Sequence, residues 1–138
     1  MSEMRIESGF PEEIEALAKQ IVDAAFKVHS QLGPGLLESV YETCLCHELR
    51  RRGIAVSNQV RAPIVFEGLE LEAALRLDLL VGNEIVVEVK AIEKLLRIHE
   101  AQVLTYLKLT HKKLGFLINF NVELFRDGIK RIVLSRPS

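Results

Sequence analysis

Leu77-Asp78-Leu79-Leu80-Val81-Gly82-Asn83-Glu84-Ile85-Val86-Val87-Glu88-Val89-Lys90 is the stretch whose reading decides the fold. It has the form of two short apolar strands joined by a tight connection, with ionisable residues where a buried strand would carry aliphatics. Asp78 interrupts the run from Leu75 to Val81, and Glu88 and Lys90 interrupt the run from Ile85 to Val89. Charged side chains are rarely buried unless they are paired or hold a metal. A lone carboxylate in an apolar sheet would cost several kcal/mol, comparable with the net stability of a whole domain.

Alternation along a strand puts Glu88 and Lys90 on one face. Asp78 joins them only in one register. A two-residue turn at Gly82-Asn83 would oppose Asp78 to Val87 and send Glu88 to the other face. A three-residue loop, Gly82-Asn83-Glu84, opposes Asp78 to Glu88 and brings both carboxylates together. Gly and Asn both tolerate the left-handed conformation such loops use. The odd-length loop is therefore the expectation, and a plain two-residue turn would sink the paired-carboxylate idea.

Working outward, 138 residues fit one domain with a real core, residues 1–138 with a loose leader over 1–10. Hydrophobic residues at 49% and charged residues at 27% make an ordinary globular mixture, so neither a disordered nor a fibrous class applies. A net charge of −1 neither argues for nor excludes nucleic acid. Basic residues do cluster at Arg50-Arg51-Arg52, from Lys108 to Lys113, and at Lys130-Arg131; the plain alternative is solvated surface and helix ends. Cys44 and Cys46, two apart on a helix, face different ways and form neither a disulfide framework nor a zinc knuckle. No signal peptide or apolar run of about 20 residues is visible. The expected compartment is the cytoplasm, with no membrane partner.

Pro11-Glu12-Glu13 opens a helix whose buried stripe is Ile14, Leu17, Ala18, Ile21, Ala25, Val28 and Leu32. It stops at Gly33-Pro34-Gly35. A second helix runs from about Leu36 to Arg52, with Gly53 as its cap. The period then changes: Ala55 to Val60 and Ile64 to Phe66 read as separate short strands, because Pro63 argues against a central ladder position. After the Asp78–Lys90 hairpin, Glu93 to Thr110 is helical. Leu114 to Phe120 is a buried strand, and a short strand ends near Leu134. The order is α-α-β-β-β-(β)-α-β-β, a mixed α+β (α/β) domain with a central mixed sheet flanked by helices.

Asp78, Glu88 and Lys90 suit metal-assisted hydrolysis. Mg²⁺ or Mn²⁺ prefers oxygen ligands and takes only one or two carboxylates, and a neighbouring Lys can orient water and stabilise developing charge. The rival is structural, with Lys90 pairing Glu88 or Asp78. Glu38 and Tyr41 share a face of the second helix, where Glu38 also suits the helix dipole and Tyr41 reads as core rather than catalytic. Gln102 and Tyr106 share a face of the third helix and could reach the same cleft. His99-Glu100 begins like a zinc-protease motif, but Val103 stands where its second His would be. His29 reads as a capping or core residue.

Taken together, His29, Leu32-Gly33-Pro34-Gly35, Glu38, Tyr41, Asp78, Glu88-Val89-Lys90, His99, Gln102, Tyr106 and Leu117-Ile118-Asn119-Phe120-Asn121 resemble the GxxExxY family, placed within the PD-(D/E)XK nuclease-like superfamily. The resemblance spans roughly Ile14 to Leu134. It implies a restriction-endonuclease-like core with the metal site on the central hairpin. Asp78 falls on the superfamily's metal-binding Asp, Glu88 on its second acid and Lys90 on its catalytic Lys. Glu38 falls on the acid many members carry on the first core helix. Gln102 and Tyr106 match the QxxxY element of the recombination-type branch. Leu77 stands where the superfamily has Pro, and the His that branch uses upstream is not matched by Glu38 or His29.

The expected activity is a Mg²⁺- or Mn²⁺-dependent nuclease. The expected ligands are Asp78, Glu88, Glu38 and the Val89 carbonyl; Lys90 positions water, and Gln102 and Tyr106 orient phosphate. The expected partner is nucleic acid, DNA rather than RNA, with a homodimer for duplex cutting. The alternatives are a non-catalytic nucleic-acid- or protein-binding module on the same fold, and a purely structural charge network.

Overall fold

A computed structural model of the chain describes residues 9–135. Of the expected leader only Gly9 and Phe10 fall among them, and the tail Arg136–Ser138 lies outside. The elements are α1 (Glu12–Leu32), α2 (Glu38–Arg51), β1 (Val56–Phe66), β2 (Leu69–Val81), β3 (Ile85–Lys90), α3 (Arg97–Thr110), β4 (Leu114–Asn119), a 3-10 turn (Phe125–Asp127) and β5 (Ile129–Val133). The five strands form one sheet in sequence order, antiparallel except for the parallel β3–β4 pair that α3 connects.

Two readings are corrected. The expected pair of strands before the central hairpin is one strand, β1. Pro63 is accommodated because β1 is an edge strand and its register shifts between Ala62 and Ile64. The third helix starts at Arg97 instead of Glu93. Ile92 cannot enter a helix, because its N–H and carbonyl are both taken by the Asn119 side chain at 3.0 and 2.9 Å. The helix opens instead at Leu96, whose N–H is accepted by His99 Nδ1. Ile98, in the first turn of this later-starting helix, is exposed.

The core has two layers. Leu79, Val81, Ile85, Val87 and Val89 pack under α1 and α2 with Ile21, Leu45 and Leu49. Leu75, Leu77, Val86 and Leu117 pack under α3 with Val103 and Leu107. Leu77 and Leu79 have the same parity yet lie on opposite faces, so β2 changes face at Asp78. Across the ladder β1 changes face between Val56 and Val60, where Gln59 holds a positive φ of 53°. The register is unbroken there, Asn58 opposing Leu79 and Val60 opposing Leu77. The β1–β2 ribbon therefore rolls over as a unit and runs on past β3.

Candidate functional site

The connection between β2 and β3 is Gly82-Asn83-Glu84, with Val81 opposite Ile85 and Leu79 opposite Val87, as the odd-length loop requires. Gly82 and Asn83 carry φ of 60° and 58°. A side chain at Gly82 would also strike Leu17, its Cβ only 2.6 Å from Leu17 Cδ2.

Regular β2–β3 pairing stops at Leu79 and Val87, and carboxylates take over the ladder. The Asp78 N–H donates to Glu88 Oε2 at 3.0 Å, and the Val89 N–H donates to Asp78 Oδ2 at 2.9 Å. Both acids are buried, 3% and 4% exposed, at the point where the ribbon rolls away from β3. Burial, reinforced by the neighbouring Asp78 charge, pushes the Glu88 carboxyl up to about 8. The pair thus lacks a full counter-charge. Arg76 Nη2 stands 3.6 Å from Asp78 Oδ1, and that side chain is half exposed.

Lys90, half-buried at the end of β3, faces the same side as Glu88 and partly offsets the rise in its pKa. Its ammonium makes no hydrogen bond or ion pair among the described residues, so it does not close the buried charge network the structural alternative requires. Val89 buries its side chain under α1 and α2. Tyr106 on α3 is half-buried; burial raises its phenol pKa, and the charges of Glu88 and Asp78 raise it further. Those charges tie Tyr106 electrostatically to the acid pair. Gln102, one turn earlier, is half-buried with no hydrogen-bond partner among the described residues.

Glu38 opens α2 and is half-buried. Among the described residues no three His, Cys, Asp or Glu side chains are grouped as a metal cage, so Asp78 and Glu88 stand as a pair. Their chemistry nonetheless fits a hard divalent cation. Two carboxylates share a buried site with a deficit of positive charge, and a cation that needs few protein ligands would relieve it.

The turn before Glu38 is fixed by Tyr41, whose hydroxyl donates to the Gly33 carbonyl at 2.6 Å and accepts from the Leu36 N–H at 3.0 Å. Its ring stacks on Phe120, 4.7 Å between centroids. Tyr41 is core, as expected, and so is His29, whose Nε2 meets the Val122 carbonyl at 2.6 Å.

Sequence reasoning left several residues around the site without a role. Asn119 and Asn121 hold both flanks: Asn119 binds Ile92, just past Lys90, and Asn121 Oδ1 accepts the Gly35 N–H at 3.1 Å, just before Glu38. The signal was an Asn inside an otherwise apolar run. Glu42, Gln59 and Arg76 form a second relay. Gln59 Nε2 donates to Glu42 Oε2 at 2.6 Å, and Arg76 Nη1 donates to Gln59 Oε1 at 2.8 Å. Nothing in the local sequence joins those three.

The basic clusters are mostly spent on the fold. Arg51 and Arg52 pair with Glu48, Arg50 donates to the Val56 carbonyl, Lys112 to the Asn83 carbonyl, Lys130 pairs with Glu100 and Arg131 with Glu15. Cys44 and Cys46 are free thiols. No helix among the described residues is long and apolar enough to cross a membrane.

A family model described as the PD-(D/E)XK nuclease superfamily matches residues 15–132. No curated protein and no solved structure matches the chain.

Proposed function

The chain belongs to the PD-(D/E)XK nuclease superfamily, and from that premise we propose that it is a metal-dependent phosphodiesterase acting on nucleic acid, of the GxxExxY type within the superfamily. The observation that carries the reading is the acid pair with its unspent lysine. Asp78 and Glu88 are buried together and locked to each other's strand, while Lys90, on the same side as Glu88, forms no ion pair with a carboxylate among the described residues. A site built for packing would have used that cation.

Asp78 and Glu88 would hold Mg²⁺ or Mn²⁺, with Glu38 on the α2 side and the Val89 carbonyl as further donors. When bound, the cation would polarise the phosphoryl group and lower the pKa of an attacking water. Lys90 would orient that water and stabilise charge developing on the phosphate. Gln102 and Tyr106, four residues apart on α3, would hold the phosphate or the outer waters by hydrogen bonds. Cleavage of both strands of a duplex would use two copies of the chain, one site per strand. DNA is the substrate we favour.

The test is calorimetry with Mg²⁺ and Mn²⁺ on the wild type and on Asp78→Asn, repeated with a non-cleavable oligonucleotide. Binding in the micromolar to millimolar range that disappears in Asp78→Asn, together with cleavage of DNA or RNA, is the expected result. Nucleic-acid binding with no metal uptake and no cleavage would instead make the chain a binding module on this fold.

A further inference from the structure

The β1–β2 ribbon carries two arginines that are fifteen positions apart in the sequence and directly opposed in space: Arg61 pairs with Arg76 in the ladder. Directly opposed residues in an antiparallel pair project from the same face, and like charges there are destabilising. The face is identified by its neighbours. Val60, Ala62, Leu75 and Leu77 turn toward α3, so Arg61 and Arg76 project from the opposite face, the continuation of the one α2 covers nearer the hairpin. Beyond Gln59 that face is bare, and both arginines are exposed.

Their partners are few. Arg76 donates to Gln59 Oε1 at 2.8 Å and lies 3.6 Å from Asp78 Oδ1. Arg61 makes no hydrogen bond, ion pair or ring contact among the described residues. The nearest acid in the relay, Glu42, is occupied by Gln59, and burial raises its pKa. Two arginines therefore stand opposite each other on one exposed face, and among the described residues Asp78, one of the acid pair, is the one carboxylate within 4 Å of either guanidinium. This contrasts with Arg51 and Arg52, which share the buried Glu48. Such a pair lowers its own energy by taking an anion that accepts several N–H bonds, and a phosphodiester oxygen pair matches the planar fork of Arg.

We propose that the Arg61–Arg76 pair is a phosphate clamp. On this reading the ribbon grips the sugar-phosphate backbone beside the bond that the Asp78–Glu88 site attacks. The inference rests on the nuclease reading for its ligand and adds the element that positions the strand. Contacts of this kind give register and salt-sensitive affinity without base selectivity.

The test is fluorescence anisotropy of labelled duplex and single-stranded oligonucleotides across a salt series, in chelator so that nothing is cut. The proteins are wild type, Arg61→Gln, and the Arg61→Gln/Arg76→Gln double variant. Arg61→Gln is the cleaner probe because the side chain makes no hydrogen bond, ion pair or ring contact among the described residues, and its melting temperature should stay level or rise. Affinity should fall about tenfold in the double variant, and the slope of log affinity against log salt should shrink by about one for each phosphate no longer neutralised. Unchanged affinity and slope in both variants, with cleavage in Mg²⁺ retained, would overturn the clamp and leave the nuclease reading standing. Affinity lost in the variants without cleavage by any protein would keep the clamp and overturn hydrolysis. No binding by wild type at low salt would overturn both.

Discussion

Two buried glutamates in this molecule are handled in opposite ways. Glu48 on α2 lies among Arg52 at 2.9 Å, Lys27 at 3.2 Å and Arg51 at 3.7 Å, and the hydrogen bond from Arg52 holds its carboxyl below the usual range. Glu88 on β3 lies beside a second carboxylate, and its pKa is driven up to about 8. The first arrangement is complete within the chain and ties α1 to α2. The second meets no comparable set of cations, and its carboxyl keeps a proton up to about pH 8 instead of carrying a paired charge. On the proposed function, the difference separates an acid that holds the structure together from one that is kept for chemistry.

The largest expected effect follows from where the cations go. Lys90→Ala should lower turnover by about 10²- to 10⁴-fold, the usual range for a positioned proton-transfer or charge-stabilising group. Metal affinity and melting temperature should stay near wild type, because the ammonium makes no hydrogen bond or ion pair among the described residues. Arg52→Ala should do the reverse, costing stability and sparing turnover. Single-turnover cleavage beside thermal melts would check both, and a Lys90→Ala protein that cuts at the wild-type rate would erase the distinction.

Next in size is removal of each acid's charge. Glu48→Gln leaves three cations without their shared anion. Breaking a buried pair costs roughly 3–5 kcal/mol, but these partners are partly solvated, so about 1–3 kcal/mol is expected from denaturant melts. Glu88→Gln keeps an acceptor for the Asp78 N–H and removes the repulsion with Asp78. It should be neutral or stabilising without metal, while abolishing cleavage. A loss as large as that of Glu48→Gln would show Glu88 to be structural as well.

The same contrast has opposite signs in pH. A carboxyl whose folded pKa lies above its unfolded value of 4.5 keeps its proton longer in the native state. Glu88 therefore makes the metal-free protein lose stability as pH rises from about 4.5 through about 8. Glu48, shifted downward, contributes stability that is present above 4.5 and lost as pH falls below it. Melts between pH 5 and pH 9 should show the Glu88 decline in wild type, its absence in Glu88→Gln and its offset by Mg²⁺. A flat wild-type profile would mean the pair shares no proton.

Much of this was legible in the chain, for physical reasons that differ by region. The loop between Asp78 and Glu88 could be counted because side chains on a strand alternate, so one residue more or less changes which acids meet. The strand from Leu114 and the first two helices followed from unbroken apolar periodicity. The Asp78, Glu88 and Lys90 trio stood out because charge in an apolar run has no cheap explanation. The face change at Gln59 and Asp78 left no such mark, since Gln59 carries it in a positive φ that its residue type does not announce. The Arg61–Arg76 meeting and the Glu42–Gln59–Arg76 relay depend on the same ribbon register. Asn119 was visible as a polar residue in a buried strand, but its target, Ile92, lay in the short stretch between Lys90 and the helix expected from Glu93, where no local pattern marked it.

Glu42 provides the smallest and most discriminating case, because it stands between the two kinds of acid. Burial raises its pKa and the Asp78 charge adds to that, as at Glu88, yet the hydrogen bond from Gln59 pulls the other way, as Arg52 does at Glu48. It is only half-buried, so solvent screens most of either effect. Glu42→Gln should change stability by no more than about 0.5 kcal/mol, the scale of an ordinary partly exposed substitution. It should also leave Mg²⁺ affinity nearly unaltered, because its hydrogen bonds reach Asp78 only through Gln59 and Arg76 and its direct charge effect on Asp78 is a minor one. A large loss of metal affinity in Glu42→Gln calorimetry, with stability intact, would put Glu42 in the ligand set. The α2 acid serving the pair would then be the one a turn beyond Glu38, and the boundary between structural and chemical acids would run through α2 itself, between Glu42 and Glu48.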